Sequence, residues 1–176
     1  MMLFLFLFLS TISISQQLFV NESNTSFFSS APLEDISAIS NELGGVVDFT
    51  TGHFFFRIPI KSFSFPSSLM QKHFNEKYLE SEKYPISTFK GQFIEKIDMS
   101  TIIDDIKINT EGVLNIHGRD QNVIIETLLL KKNEQIIFSS SFNVFLEDFN
   151  IKVPKIVRMN IADTILVNVE GSLTTK

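Results

Sequence analysis

The chain contains no cysteine and no tryptophan, and only 2 tyrosines among its 176 residues. Without cysteine there are no disulfides, thiolate metal sites, thiol nucleophiles or sulfur-linked lipid anchors. Positive charge is missing from the first third: no Lys or Arg precedes Arg57, and no dense basic cluster follows. With 15 basic against 20 acidic residues the net charge is -5, so a nucleic-acid-binding surface is not expected. Charge as a whole disfavours anionic membrane surfaces for the same reason. No G-x-S-x-G elbow, P-loop or H-E-x-x-H motif occurs, and no catalytic residue, metal or cofactor is expected.

What is abundant is phenylalanine: 19 residues, in a chain that is 44% hydrophobic and 20% charged. Phe carries apolar bulk without the polar handle of Tyr or Trp. So many of them imply a Phe-rich packed core or the lining of an apolar cavity. The length suits one domain with a sizeable core. Leu3 to Leu9 is a short apolar run, and Ser13-Ile14-Ser15 offers small residues before Gln16. This resembles a secretory signal peptide over residues 1–15, too short to span a bilayer, although its leading segment has no Lys or Arg. The expected mature domain is 16–176, periplasmic or secreted, with no membrane span after cleavage. Asn21-Glu22-Ser23 and Asn24-Thr25-Ser26 are sequons that matter only in a eukaryotic host.

Strand patterns dominate. In His53 to Phe65, Phe54, Phe56, Ile58 and Ile60 share one parity, with His53, Arg57 and Lys61 on the other. After Lys61-Ser62 the phase flips to Phe63 and Phe65, which predicts a β-bulge beside Pro59. Thr25 to Ser30 is β-like and leads to Pro32, expected at a strand edge or bulge. Gly44-Gly45 and Thr51-Gly52 are expected as turns around Val46 to Phe49. Further strands are predicted at Ser87 to Ile97, Ile102 to Asn109, Gly112 to His117, Asn122 to Lys131, Gln135 to Glu147 and Thr164 to Leu173. The loops Arg119-Asp120-Gln121 and Lys132-Asn133-Glu134 separate some of them. Short strands with polar turns predict an all-β antiparallel barrel or sandwich rather than βαβ units.

One helix interrupts this run. Within Pro66 to Gly91, Ser68 is expected as N-cap with Gln71 completing a capping box. Met70, Phe74 and Tyr78 recur four residues apart and form one apolar stripe. Glu76, Lys77 and Glu80 fall on the water side, and Tyr84-Pro85 returns the chain to strand. The histidines His53, His73 and His117 are far apart in sequence. His73-x-x-Glu76 is half of a metal site at most, and the bland reading is a helix histidine bonded to a loop. Glu80, Glu82 and Asp104-Asp105 read as solvated surface rather than acid/base carboxylates.

Phe54, Phe56, Ile58, Phe63, Phe65, Phe89, Phe93, Leu114, Ile116, Phe142 and Val144 all sit on apolar strand parities. An eight-stranded barrel is just wide enough to be filled by side chains or to hold one small ligand, and pattern alone favours the packed core.

The run MQKHFNEKYLESEKYPISTFKG, followed by Gly112-x-Leu114-x-Ile116-His117-Gly118, resembles the YceI-like family of bacterial exported proteins. The similarity continues at Phe142-x-Val144-x-Leu146-x-Asp148-Phe149 and at Ile161 to Ile165, and so covers roughly residues 25–173. Ser26 to Glu34 is similar to the opening of a subgroup common in Bacteroidetes. The first strand departs from the family in lacking its His-Ser and later Gly-x-Phe.

The resemblance implies a single lipocalin-like barrel of about eight strands around an apolar tunnel that holds polyisoprenoid chains. It places Met70 and Phe74 on a helix over the mouth and Phe89, Leu114, Ile116 and Phe142 on the interior. The expected ligand-binding set is these residues with Phe54, Phe56, Ile58, Phe63, Phe65, Phe93 and Val144. The expected partner is a polyisoprenoid or other long-chain lipid, and a homodimer is compatible with the sequence. Two alternatives stay open: a secreted structural or stress-response barrel with a packed core and no ligand, and a lipid hydrolase or isomerase with His73 or His117 as base.

Overall fold

The computed structural model describes residues 17–97 and 105–175. The leader expected at 1–15, Asp104 and the start of the strand expected from Ile102 lie outside them. Nine antiparallel strands form one sheet: β1 (Gln17–Ser30), β2 (Asp35–Ser40), β3 (Gly44–Asp48), β4 (His53–Pro59), β5 (Ile86–Phe93), β6 (Ile106–Ile116), β7 (Arg119–Lys132), β8 (Gln135–Phe145) and β9 (Thr164–Thr174). The expected all-β barrel with one short helix is what forms: eight strands close into a ring.

β1 makes the closure. One of its edges pairs with β9, from Phe19↔Thr174 to Phe28↔Leu166, with a register shift between Val20 and Glu22. Its other edge is divided: Gln17 to Phe19 pairs with β3, and Thr25 to Ser30 pairs with β2. β2 in turn bridges the wall beyond β4, where Ile39 and Ser64 exchange backbone bonds of 3.1 and 2.8 Å. The ring closes through the β1–β9 pairing, while β7 and β8 pair only from Thr127↔Ser140 to Lys132↔Gln135.

Strand pairing places the connections. The tight turns after Asp48 and at Asn133-Glu134 lie at one end, sealed by Leu18, Val47, Phe49, Ile136 and Leu173. The segments 31–34, 60–85, 117–118 and 146–163 all lie at the other. There α1 (Ser68–His73) runs directly into a single π turn, Phe74–Tyr78. A π turn adds a residue to the loop of the ladder, so Leu79 N–H donates to the Phe74 carbonyl at 2.9 Å. Leu79 thereby joins the buried face beside Phe74 and Tyr78, a residue that the four-residue stripe does not include.

Several sequence expectations are corrected in detail. The phase change after Lys61 comes from a 3-10 turn, Ile60–Ser62, rather than a bulge. Its Ser62 hydroxyl donates to the Pro59 carbonyl at 2.6 Å. Gly44-Gly45 lies inside β3 rather than in a turn. Pro32 sits in the bend between β1 and β2. The two strands expected either side of Thr110-Glu111 are one strand, β6. Arg119 to Gln121 belongs to β7, and the turn is His117-Gly118, with φ of 52° and 68°. Two positive φ values in a two-residue hairpin match the twist of the flanking strands. The helix is capped by Ser67, whose hydroxyl accepts from Met70 N–H at 3.4 Å. Gln71 faces Phe65 N–H at 3.4 Å instead of closing a capping box. β1 starts earlier than Thr25, and β2 was not expected.

Candidate functional site

The barrel encloses a cavity of about 500 Å³. That falls within the range of small-molecule sites, roughly 300–1,000 Å³. All thirteen residues selected from the sequence stand on its lining. Eight belong to the inward parities of β4, β5, β6 and β8; Phe63 and Phe65 follow the 3-10 turn, and Met70 and Phe74 come from the helix. Ile116 closes the upper end of β6.

Two groups of rings organise the space. At the closed end Phe54 stacks obliquely on Phe89 at 4.9 Å between centroids, with Phe93 at 6.1 Å and Phe56 at 5.7 Å. Phe49 and Phe138 extend this chain through Phe93 and Phe56. Under the helix, Phe74 stacks on Phe27 at 5.5 Å and 21°, and meets Phe65 at 5.0 Å and Phe63 at 5.8 Å. Such pairs are worth about 0.5–1.5 kcal/mol beyond their area burial. Phe27, Phe49 and Phe138 were not singled out from the sequence. The alternation Thr25-x-Phe27-x-Ser29 and the shared parity of Phe138 with Phe142 and Val144 are the signals that would have found them.

Burial locates the opening. Lining residues at the lower end, such as Val47, Phe49, Ile108, Leu129 and Leu173, are buried. Glu34, Ile36, Phe65, Met70, Val157, Asn160 and Ile161 are half-buried and mark the mouth. The ionisable groups on the lining, Glu34, Arg57 and His73, are half-buried or exposed. Burial pushes the Tyr78 phenol above the usual tyrosine range, so it stays a neutral hydroxyl. Deeper polar groups are hydroxyls. Thr127 and Ser140 pair at 2.8 Å, and Thr110 donates to the Ile125 carbonyl at 2.8 Å. Thr25, only 5% exposed, has no hydrogen-bond partner for its hydroxyl among the described residues.

The histidines divide. His53 is exposed on β4, and His73 lines the cavity with no ion pair among the described residues. His117 is buried in the β6–β7 turn, outside the lining. Its Nδ1 lies 3.1 Å from the Phe149 carbonyl, its Nε2 lies 2.7 Å from a carboxylate oxygen of Glu80, and Tyr84 packs edge-on to its ring. Glu80, expected as solvated surface, instead ties the end of the helical segment to the barrel, and it does so from a left-handed backbone, φ 44°. Glu82 pairs with Lys61 on the surface, and Asp105 is exposed. No cluster of three His, Asp or Glu side chains that could hold a metal exists among the described residues.

Replacing His117 by Asn tests this tie. Asparagine tolerates the left-handed turn position, so the hairpin survives while the ring's two bonds go. Stability is expected to fall by about 1–3 kcal/mol, the cost of leaving the buried Phe149 carbonyl unmatched together with the loss of the bond to Glu80. A urea midpoint within error of the parent protein would show that the tie carries no load.

A closed antiparallel barrel around an apolar cavity that opens beneath a helical cap is a lipocalin-like barrel. The chain belongs to the YceI-like domain family, whose model matches residues 19–173. Solved structures share the fold. A polyisoprenoid-binding domain from Saccharophagus degradans implicated in plant cell wall breakdown is 13% identical, with a TM-score of 0.77 over 93% of this chain and 100% of that one. Burkholderia cenocepacia BcnA is 15% identical, with a TM-score of 0.68 over 87% and 96%. The YceI protein of Campylobacter jejuni is 17% identical, with a TM-score of 0.59 over 100% and 94%. No curated protein matches by sequence.

Proposed function

We propose that this protein is an exported carrier that holds a long apolar molecule of the polyisoprenoid type inside a phenylalanine-rich barrel. The observation that carries the reading is the cavity of about 500 Å³, a void in a barrel of a size that side chains could have filled. The Saccharophagus relative described as polyisoprenoid-binding supports the ligand class. The apolar leader Leu3 to Leu9 supports export to the periplasm or beyond. A packed-core structural role would leave this void without purpose.

The reading is one of binding rather than turnover. A histidine base would need to face the cavity beside a carboxylate. His73 meets the first condition and His117 the second, and neither meets both. With ionisable lining groups confined to half-buried or exposed positions, a charged head group stays at the mouth while the chain enters.

Burial of roughly 400 Å² of apolar chain is worth about 10 kcal/mol gross at about 25 cal/mol/Å². Association costs of about 4–15 kcal/mol come off that sum. Short prenyl chains therefore bind weakly and long ones in the micromolar range or tighter. Affinity is expected to rise with prenyl length until the cavity is filled, then level off. A titration across a length series checks this, and equal affinity at every length would sink the prenyl reading. Mass spectrometry of an organic extract from protein purified out of its own host identifies the ligand.

A further inference from the structure

Composition as a whole argues against anionic membranes, but the charge is unevenly placed. Between Asp148 and Asp163 the chain carries Lys152, Lys155 and Arg158 and no acidic residue. All three cations are exposed. Interleaved with them are two apolar side chains turned to water: Ile156 is 90% exposed and Met159 51%. Leu33, 68% exposed, comes from the bend between β1 and β2.

These side chains stand on a bonded platform at the cavity mouth. Leu33 N–H donates to the Met159 carbonyl at 2.8 Å, and the Asn160 amide donates to Glu34 at 3.2 Å. Ala162 N–H donates to the Ser29 hydroxyl at 3.0 Å. Their neighbours Glu34, Val157 and Asn160 line the cavity itself. The apolar tips therefore stand together on one side of the opening.

We propose that this rim docks the open end of the barrel onto an anionic lipid bilayer, so that an apolar ligand passes between membrane and cavity without crossing water. The purpose assigned to the docking rests on the carrier reading above; the docking surface itself does not. Ile156, Met159 and Leu33 match what sinks into the headgroup boundary, and Lys152, Lys155 and Arg158 match what anionic headgroups attract. An exposed apolar cluster rimmed by charge marks an interaction site in a monomeric protein. Glu147, Asp148 and Asp163 bracket this loop and are exposed, so the positive charge is confined to the face that carries Lys152, Lys155 and Arg158. Glu34 and Asp35 are the acids of the neighbouring bend, and each is hydrogen-bonded: Glu34 to Asn160 and Asp35 to Ser30.

The test uses the full protein with vesicles of phosphatidylcholine alone or mixed with phosphatidylglycerol, read by co-sedimentation. The parent protein is expected to bind the mixed vesicles and to lose that preference at high salt, because exposed charges are screened. The double variant Ile156→Asp/Met159→Asp is expected to bind them at least tenfold more weakly. Lys155→Glu/Arg158→Glu is expected to abolish the preference for the anionic lipid. Neither pair touches the cavity, so both variants keep the parent's thermal stability and its affinity for a fluorescent prenyl probe in solution.

Absence of vesicle binding by the parent, or binding that both variants retain, overturns the proposal. So does a dimer seen by light scattering that Ile156→Asp/Met159→Asp dissociates, since the rim would then be covered by a second copy. Rim-dependent vesicle binding by a protein that takes up no prenyl probe would sustain the docking surface and defeat the carrier reading instead.

Discussion

Gly91→Val is expected to cost at least about 3 kcal/mol of stability, at the upper end of what overpacking does and beyond most point substitutions. Gly91 of β5 pairs directly with Gly112 of β6. A Cβ at Gly91 would run into the Glu111 carbonyl oxygen and stand 2.6 Å from Gly112 Cα. Those are backbone atoms, so no side chain can swing aside to make room. Gly112 meets the same limit from its own side, with Lys90 O and Gly91 Cα in the way. The two strands approach more closely there than any side chain allows, and only glycine permits it. Nor can β5 retreat, because it is held to β4 from His53↔Gln92 to Pro59↔Ile86. In an open sheet an edge strand would slip; in a closed ring each shift propagates. Gly44→Ala is the control: a Cβ there has open space around it and is expected to change stability by less than about 1 kcal/mol. Urea denaturation followed by circular dichroism decides, and equal midpoints for the two variants would refute the account.

The strands whose inward faces are apolar were legible because period-2 alternation needs only neighbours in sequence. β4 is the clear case: Phe54 and Ile58 are buried while His53, Phe55 and Arg57 are exposed. The hairpin at Asn133-Glu134 was legible from its polar pair. The closure by β1 was not, because which strands share its edges depends on residues more than a hundred positions away in β9. The Lys61-Ser62 phase change shows a different limit. A bulge and a three-residue 3-10 turn both invert parity, and parity alone cannot separate them. In β6, Glu111-Gly112 carries the composition of a turn but is strand, because the close approach to Gly91 demands glycine. At His117-Gly118 the reverse happened: a histidine in a left-handed turn carries no sequence signal, and its partner Glu80 lies 37 positions upstream. On the site side, the thirteen expected residues all border the cavity, yet that they do so around a void rather than against each other was beyond pattern. A void depends on the sum of side-chain volumes against the ring's diameter, a global quantity.

The second large effect is expected at Phe74→Asp, which should reduce retention of a prenyl ligand at least tenfold where Lys72→Asp leaves it unchanged. Phe74 opens the π turn and touches the rings of Phe27, Phe63 and Phe65. It therefore joins three pieces of wall: β1, the segment after the 3-10 turn, and the helical cap. Truncating a buried Phe typically costs about 3–5 kcal/mol; Phe74 is half-buried, so the packing part falls below that. Aspartate adds a second cost, because a carboxylate among three rings loses hydration without gaining a partner. Desolvation would raise its folded pKa above the unfolded value of about 3.9. The sign follows. Below the unfolded pKa the side chain is neutral in both states and only the packing loss remains. As pH rises through the raised folded pKa, the charge penalty grows to its full size. Stability and retention of the variant should thus both be better at low pH than at neutral pH relative to the parent. Phe74→Leu, which keeps an apolar contact, should lose little retention and show no such pH dependence. Retention measured on organic extracts at two pH values separates these outcomes. Equal loss in the Leu and Asp variants at both pH values would mean that the ring's shape, rather than the apolar seal it completes, is what holds the ligand.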